Sequence, residues 1–290
     1  MEQLPEYKFR FDRSNIGFEI QKISYLFDKH RALERLRPHR LKFYAIIIPT
    51  VGEGIHEINF KNYQFQKQDL IFISKDDIHA WKKWKDSDGY IILFTQEFLN
   101  QNQTSFNDLS YSFPFNPILY NPLIQLKGEQ FFSSISSLIN LIYHEFNEAH
   151  HKETKEILQC LLRTIFLKIR SQSDSKELDT NKKSTALFIR LQQELNGNLS
   201  ISRNANDYCE KLNASYKELN EVCKTFTNKT VKAFIDETTI FKAKKYLIEP
   251  DKNISTTAYM LGFDETTNFT KFFKKHTNQT PKQFISKVSK

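Results

Sequence analysis

With 290 residues, 39% of them hydrophobic, the chain is long enough for two domains with a core each. Its formal net charge of +8 is uneven: Ser184–Lys290 carries 17 Lys and Arg against 11 Asp and Glu, a balance that suits a polyanionic partner. Three cysteines without paired spacing, no basic-then-apolar leader and no apolar run near about 18 residues argue against a disulfide framework, secretion and a membrane span, so the sequence reads as a cytoplasmic protein.

From about Phe9 to Phe98 the pattern is that of strands. Phe18–Ile23 alternates, Phe43–Ile48 is an apolar run ended by Pro49, and Val51-Gly52-Glu53-Gly54 reads as a turn. Ile55–Phe60 alternates again, and Leu70–Ile73 and Tyr90–Phe94 are short apolar runs. Many short strands broken by turn residues predict a sandwich or barrel over residues 1–127.

Between Gly128 and Arg170 the period changes. Phe131, Ile135, Leu138, Ile139 and Ile142 make one helical stripe, and Ile157, Leu158, Leu161, Leu162, Ile165 and Ile169 another. The polar connection Asn147–Lys152 predicts a helical hairpin. A face this wide needs cover, either from the first domain or from a second copy of the chain, and the reading adopted is a dimerisation segment over 128–170. The polar stretch 171–183 reads as a linker.

Residues 184–290 read as helix throughout, and they contain one small unit written twice. Lys217-Glu218-Leu219-Asn220-Glu221-Val222 aligns with Thr267-Asn268-Phe269-Thr270-Lys271-Phe272 at an offset of 50, and Asn228, Thr230 and Phe234 then meet Asn278, Thr280 and Phe284. Upstream the offset is 49, where Cys209 meets Ala258 and Leu212 meets Leu261. Two short-helix, turn, second-helix copies predict a double helix-turn-helix.

In the first copy Ser215-Tyr216-Lys217-Glu218 has the capping-box form. Leu219, Val222, Cys223 and Phe226 face inward, which leaves Lys217, Asn220, Glu221 and Lys224 outside. In the second, Gly262 makes the tight turn, Asp264 is expected to cap, and Phe269, Phe272 and Phe273 supply the buried face. Thr266, Thr267, Asn268, Lys271 and Lys274 then lie outside or on the flanks. These residue types suit a DNA groove: Asn pairs with an adenine edge, Thr meets a thymine methyl, and Lys reaches guanine or phosphate. Ser215 and the first amides of its helix suit a phosphate.

Asn253–Ile285 resembles the C-terminal signature of AraC/XylS-type transcription regulators: an Ile-x-x-x-Ala helix, Gly-Phe, a Phe-x-x-x-Phe-Lys-Lys helix, then Thr-Pro. The resemblance extends over both units. It implies two recognition helices in successive major grooves on one face of double-stranded DNA, about 34 Å apart. Matched by position, the base-facing residues are Lys217, Asn220 and Glu221, then Thr266, Thr267, Asn268 and Lys271. In departures from the pattern, Asn278 stands where Gly is common, Cys209 replaces Ala, and Glu221 replaces Arg or Gln. A carboxylate there is unfavourable near phosphate unless it reads a cytosine amino group.

His39–Ile46, Gly52-Glu53-Gly54 and Leu70–His79 resemble the small cupin barrel that precedes this module in many members. The fold class implied is α+β, a cupin-like sensor barrel followed by an all-α DNA-binding domain. By position Leu41 replaces a metal-binding His and Ala45 the carboxylate, so the reading has no metal, no cofactor and no catalytic residue. His39, Tyr44, His79 and Trp81 are the residues taken to contact an effector. The function expected is an effector-responsive activator acting as a homodimer, with RNA polymerase as a partner implied by the resemblance. Left open are a regulator that needs no ligand and a cupin-type enzyme whose tail targets it to DNA.

Overall fold

A computed structural model describes residues 4–9, 16–27, 36–99, 113–148, 151–172, 182–197 and 202–288. It divides into two compact units, Pro5–Ser175 and Lys176–Lys290. Most of the linker expected over 171–183, and the middle of the connection 147–152, lie outside the described residues.

The first unit is a mixed sheet of eight strands among the described residues: β1 (Glu6–Tyr7), β2 (Phe18–Lys22), β3 (His39–Leu41), β4 (Tyr44–Ile58), β5 (Lys61–Gln66), β6 (Asp69–Ile73), β7 (Ile78–Phe94) and β8 (Leu123–Gln125). Their order is β1-β3-β7-β4-β6-β8, with β2 also on β7 and β5 also on β4. The sheet curls around the long antiparallel pair β4–β7, in the manner of the expected cupin-like barrel.

The sequence reading ended a strand at Pro49 and turned the chain at Val51–Gly54. Instead β4 runs through both, pairing with β7 from Tyr44↔Phe94 to Ile58↔His79 with register shifts at Pro49/Val51, Val51/Glu53 and Ile55/His56. Bulges absorb what a regular strand would reject, and they bend it as a curled sheet requires. Pro49 lies opposite Gly89, where a Cβ would sit 2.0 Å from the Ile48 carbonyl oxygen, so the close approach there depends on glycine.

The apolar run at the start of β4 is continuous because both faces are covered. Tyr44, Ile46 and Ile48 face one way and Phe43, Ala45 and Ile47 the other, in separate buried clusters. A helical hairpin, α2 (Glu129–Glu148) and α3 (Thr154–Gln172), follows the short α1 (Gln96–Leu99). Its stripe of Ile135, Ile139, Ile142, Leu158, Leu162 and Ile165 packs on the Tyr44 face. The cover assigned to a partner copy is therefore the chain's own sheet. Leu141 and Leu167, 51% and 56% exposed, are left on the hairpin's outer side.

The second unit is helical: α4 (Lys182–Gly197), α5 (Ala205–Leu212), α6 (Tyr216–Thr227), α7 (Val231–Tyr246), α8 (Ile254–Met260), α9 (Thr266–Thr277) and α10 (Pro281–Val288). Here the repeat becomes geometry. Asn228 and Asn278 both end their helices in the left-handed conformation, at φ 56° and 58°. Thr230 caps α7, and Thr280 exchanges hydrogen bonds with Gln283 at the start of α10. α7 joins the copies, and its buried Lys242 donates to the Leu195 carbonyl at 2.5 Å, near the C-terminus of α4. Burial, helped by the charge of Lys245, lowers that lysine's pKa to about 8.

Gly54 offers a direct check of the bulged strand. A Cβ there would meet the Lys83 carbonyl oxygen at 2.3 Å and Phe65 Cζ at 2.5 Å, and the backbone oxygen has nowhere to go. Gly54→Ala should cost the sheet unit about 1–3 kcal/mol. Both tryptophans, Trp81 and Trp84, lie in β7, so their fluorescence during urea unfolding reports on this unit alone. An unshifted transition would show that β4 is not packed this way.

Candidate nucleic-acid interface and sensor interior

In the first helix-turn-helix, α5 ends at Asn213 and Ser215 starts α6. The Ser215 hydroxyl accepts the Glu218 N–H at 3.2 Å, while the Glu218 carboxylate accepts the Ser215 N–H at 2.9 Å. This closes the capping box, and the Ser215 N–H and hydroxyl donating to the carboxylate, with Lys183 nearby, hold the Glu218 carboxyl below its usual range. Leu219, Val222 and Cys223 are buried behind, and Lys217, Glu221 and Lys224 are exposed.

Asn220 departs from the outward position expected of it. It is half-buried, and its Oδ1 accepts the Val231 N–H at 3.1 Å, tying α6 to the start of α7. The oxygen that a bidentate adenine contact needs is therefore spent inside the unit.

In the second helix-turn-helix, Gly262 takes φ 73° and Phe263 folds back, its N–H bonded to the Ala258 carbonyl. α9 then starts one residue later than expected: Glu265, not Asp264, is the N-cap, and it makes no side-chain cap. Thr266 is half-buried and bonds to Ser255 Oγ at 3.2 Å, whereas Thr267 bonds to Glu265 at 2.9 Å. Thr267, Asn268, Lys271 and Lys274 are exposed, opposite the buried Phe269, Phe272 and Phe273. Lys275, which the sequence reading passed over, joins them; its spacing of four from Lys271 was the available signal. α9 carries three lysines and no acid, whereas in α6 two lysines are balanced by Glu218 and Glu221.

The four residues assigned to an effector do not form one group. Tyr44 is on the helix-covered face, stacked with Phe94 at 5.6 Å and edge-on to Phe115 at 5.1 Å. His39, His79 and Trp81 belong to the other side of the sheet, and all four are at most 4% exposed. Strand alternation separates Tyr44 from them.

With them stands His56, which the sequence reading missed although the Ile55–Phe60 alternation turns it inward beside Ile58. His56 Nε2 is 3.1 Å from His79 Nδ1, His39 and His79 have ring centres 4.1 Å apart, and His56 meets Trp81 edge-on at 4.6 Å. The His39 Nδ1 donates to the Arg37 carbonyl at 2.9 Å. Burial, with the adjacent His39, drives the His56 pKa down to about 3. Among the described residues, no three His, Cys, Asp or Glu side chains converge on a metal position. A cleft of about 430 Å³ opens elsewhere on this unit, lined by Glu53, Gly54, Gln64, Phe65, Asp69 and Gln125. Burial pushes the Asp69 carboxyl up, against the Gln66 N–H that donates to it at 2.8 Å.

Two outcomes follow. Asn220→Ala strands the Val231 N–H and should lower the stability of the helical unit by about 1–3 kcal/mol in a helix-monitored melt, whereas Asn220→Asp keeps the acceptor and should lose less. His56 binds its proton only when unfolded between about pH 6.5 and its folded pKa of about 3, so stability falls as pH drops through that window. Wild type should lose about 1.4 kcal/mol per pH unit more there than His56→Gln, measured by tryptophan-monitored urea unfolding. Parallel pH profiles would mean that His56 is not held neutral.

Residues 23–177 match the family model of the AraC-like ligand binding domain, and residues 208–287 match that of a helix-turn-helix domain. The HTH-type transcriptional activator RhaR of Enterobacter sp. (strain 638) is 22% identical over 247 residues, covering 85% of this chain and 86% of that protein. RhaR of Escherichia coli (strain K12) shows the same identity and coverage. Unsaturated fatty acid bound ToxT from Vibrio cholerae strain SCE256 superposes with a TM-score of 0.46 at 14% identity, covering 96% of this chain and 97% of that one; at that score the likeness adds nothing to the assignment. With a ligand-binding model covering more than half its length and a helix-turn-helix model following it, the chain belongs to the AraC-type family of DNA-binding transcription regulators.

Proposed function

We propose that the chain is an effector-responsive transcription activator, not an enzyme, working as a homodimer in the cytoplasm. The observation that carries the DNA half of this reading is the exposed face of α9, where Thr267, Asn268, Lys271 and Lys274 stand together with no acid among them. In this reading Lys271 and Lys274 meet guanine edges or phosphate, Asn268 an adenine and Thr266 and Thr267 a thymine methyl. Lys217 and Glu221 serve the first half-site, with Ser215 and the first amides of α6 near a phosphate. The name of the RhaR relatives supports activation, and contact with RNA polymerase is the route we propose for it. Exposed Leu141 and Leu167 support pairing through the hairpin.

The effector is taken up at the cleft. Phe65 lines it and packs edge-on against Trp81 at 5.9 Å, and Trp81 in turn meets His56 edge-on at 4.6 Å. Binding there shifts the balance between dimer geometries. The near-complete burial of His39, His79 and Trp81 favours a second reading, in which the sheet serves assembly alone. Tryptophan-monitored melts with a metabolite library separate the two, since a ligand of the native state raises the midpoint.

Lys271→Ala should weaken binding to the cognate duplex about tenfold and reduce the slope of log affinity against log salt by about one. Anisotropy titrations at several salt concentrations measure both. Equal loss on random DNA would assign Lys271 to phosphate alone, and no loss on either would remove α9 from the interface.

A further inference from the structure

Arg203 precedes α5 and belongs by sequence to the first helix-turn-helix, yet its side chain ends in the second. Its guanidinium carbon lies 4.1 Å from the centre of the Phe263 ring and 4.8 Å from that of Phe272. Phe263 follows the turn after α8 and Phe272 sits in α9; their ring centres are 5.2 Å apart. The cation thus lies over both. Arg203 Nε is shut away from solvent without a hydrogen-bond partner among the described residues, so the ring faces stand where water would. A planar guanidinium suits this better than an ammonium, because it stacks and is more weakly hydrated.

The backbone beneath Arg203 is fixed to the first helix-turn-helix and α7. Tyr208 Oη donates to the Ser202 carbonyl at 2.8 Å, and Lys232 Nζ of α7 donates to the Arg203 carbonyl at 3.2 Å. Asn204 caps α5 by accepting the Asn206 N–H at 3.1 Å, and the Ser202 hydroxyl bonds to the Asp207 carboxylate. The foot of the residue is therefore anchored on α5 and α7, and its arm reaches α9. Along the chain the copies are joined by α7 and the short segment 247–253, and the arm adds a side-chain tie across that junction.

We propose that Arg203 is a positioning residue that clasps the second helix-turn-helix to the first, so that the two recognition helices reach DNA in one fixed phase. The inference rests on the reading of both helix-turn-helix copies as DNA-binding. Its consequence is spacing selectivity: two sites on one rigid frame bind together only where the duplex presents both grooves on the same face. Without the clasp each helix-turn-helix keeps its own contacts but is held less firmly against the other, and the spacing requirement relaxes.

The test uses the full chain and a duplex selected from random DNA by the wild-type protein. A second duplex carries an insertion of about 5 bp between the half-sites, which turns one half to the opposite face. Wild type should prefer the parent duplex by about a hundredfold, and Arg203→Gln by about tenfold or less. Arg203→Gln should bind a duplex retaining only the second unit's half-site as tightly as wild type, a readout that general destabilisation would not spare. Arg203→Lys keeps the charge and the stem without the plane, and should resemble Arg203→Gln; it carries the test if the glutamine variant fails to fold. A preference unchanged in Arg203→Gln and Arg203→Lys would overturn the clasp, as would full restoration by lysine, which would mark a charge acting without stacking. If wild type selects no duplex at all, the DNA-binding reading fails; if it does and the variants keep its preference, only the clasp fails.

Discussion

The burial of phenylalanine behind α9 is the interaction on which the DNA-facing surface depends. Phe269, Phe272 and Phe273 are at most 8% exposed and pack with Phe263 and Phe284, which fixes the rotation of the helix about its own axis. Because side chains three and four positions apart share a face, that rotation alone decides that Lys271, Lys274 and Lys275 point outward together. Removing one such ring costs about 3–5 kcal/mol, far more than any single exposed lysine contributes to folding. The polar face is thus set by the apolar one. The same logic holds α6, where Leu219, Val222 and Cys223 turn Lys217 and Glu221 outward, although the charges they expose are balanced rather than basic. The two halves of the module therefore share a frame and differ in the field they offer to a polyanion.

Much of the helical unit was legible in the sequence because its signals are local. A capping box needs two side chains three residues apart, and the Ser215–Glu218 pair is written plainly. The left-handed asparagines at 228 and 278 sit where the repeat aligns them, at the ends of periodic segments. The misses involved partners distant in the chain. Asn220 occupies an outward-looking position by helical periodicity, but its amide turns to Val231, eleven residues on, at the foot of the next helix. Arg203 sits outside both helical patterns, and nothing local announces the rings it covers.

In the sheet unit the period-two pattern identified strands but could not count faces. An uninterrupted run such as Tyr44–Ile48 is buried on both sides, so alternate residues belong to different cores. Grouping Tyr44 with His39 and Trp81 overlooked that alternation. The hairpin stripe was read correctly as apolar and assigned the wrong cover, because a periodicity states that a face is buried and never against what. The turn expected at Val51–Gly54 failed for another reason: proline and two glycines usually stop a strand, but at bulges along a strongly bent antiparallel pair they are what permits it to continue. Missing His56 follows from the same bend, since three strands must converge before three imidazoles meet.

Sensor and reader are built on opposite principles. In the sheet unit imidazoles lie buried against Trp81, while in the helical unit the lysines of α9 lie outside on a backing of buried phenylalanines. On this reading the outward faces of α6 and α9 enter adjacent major grooves of one duplex. Hydroxyl-radical footprinting of the full chain on a selected promoter fragment tests it most directly. Two protected patches are expected about one helical turn apart on the same face, with the stronger one under α9. Uniform protection that scrambled competitor DNA removes equally well would contradict it.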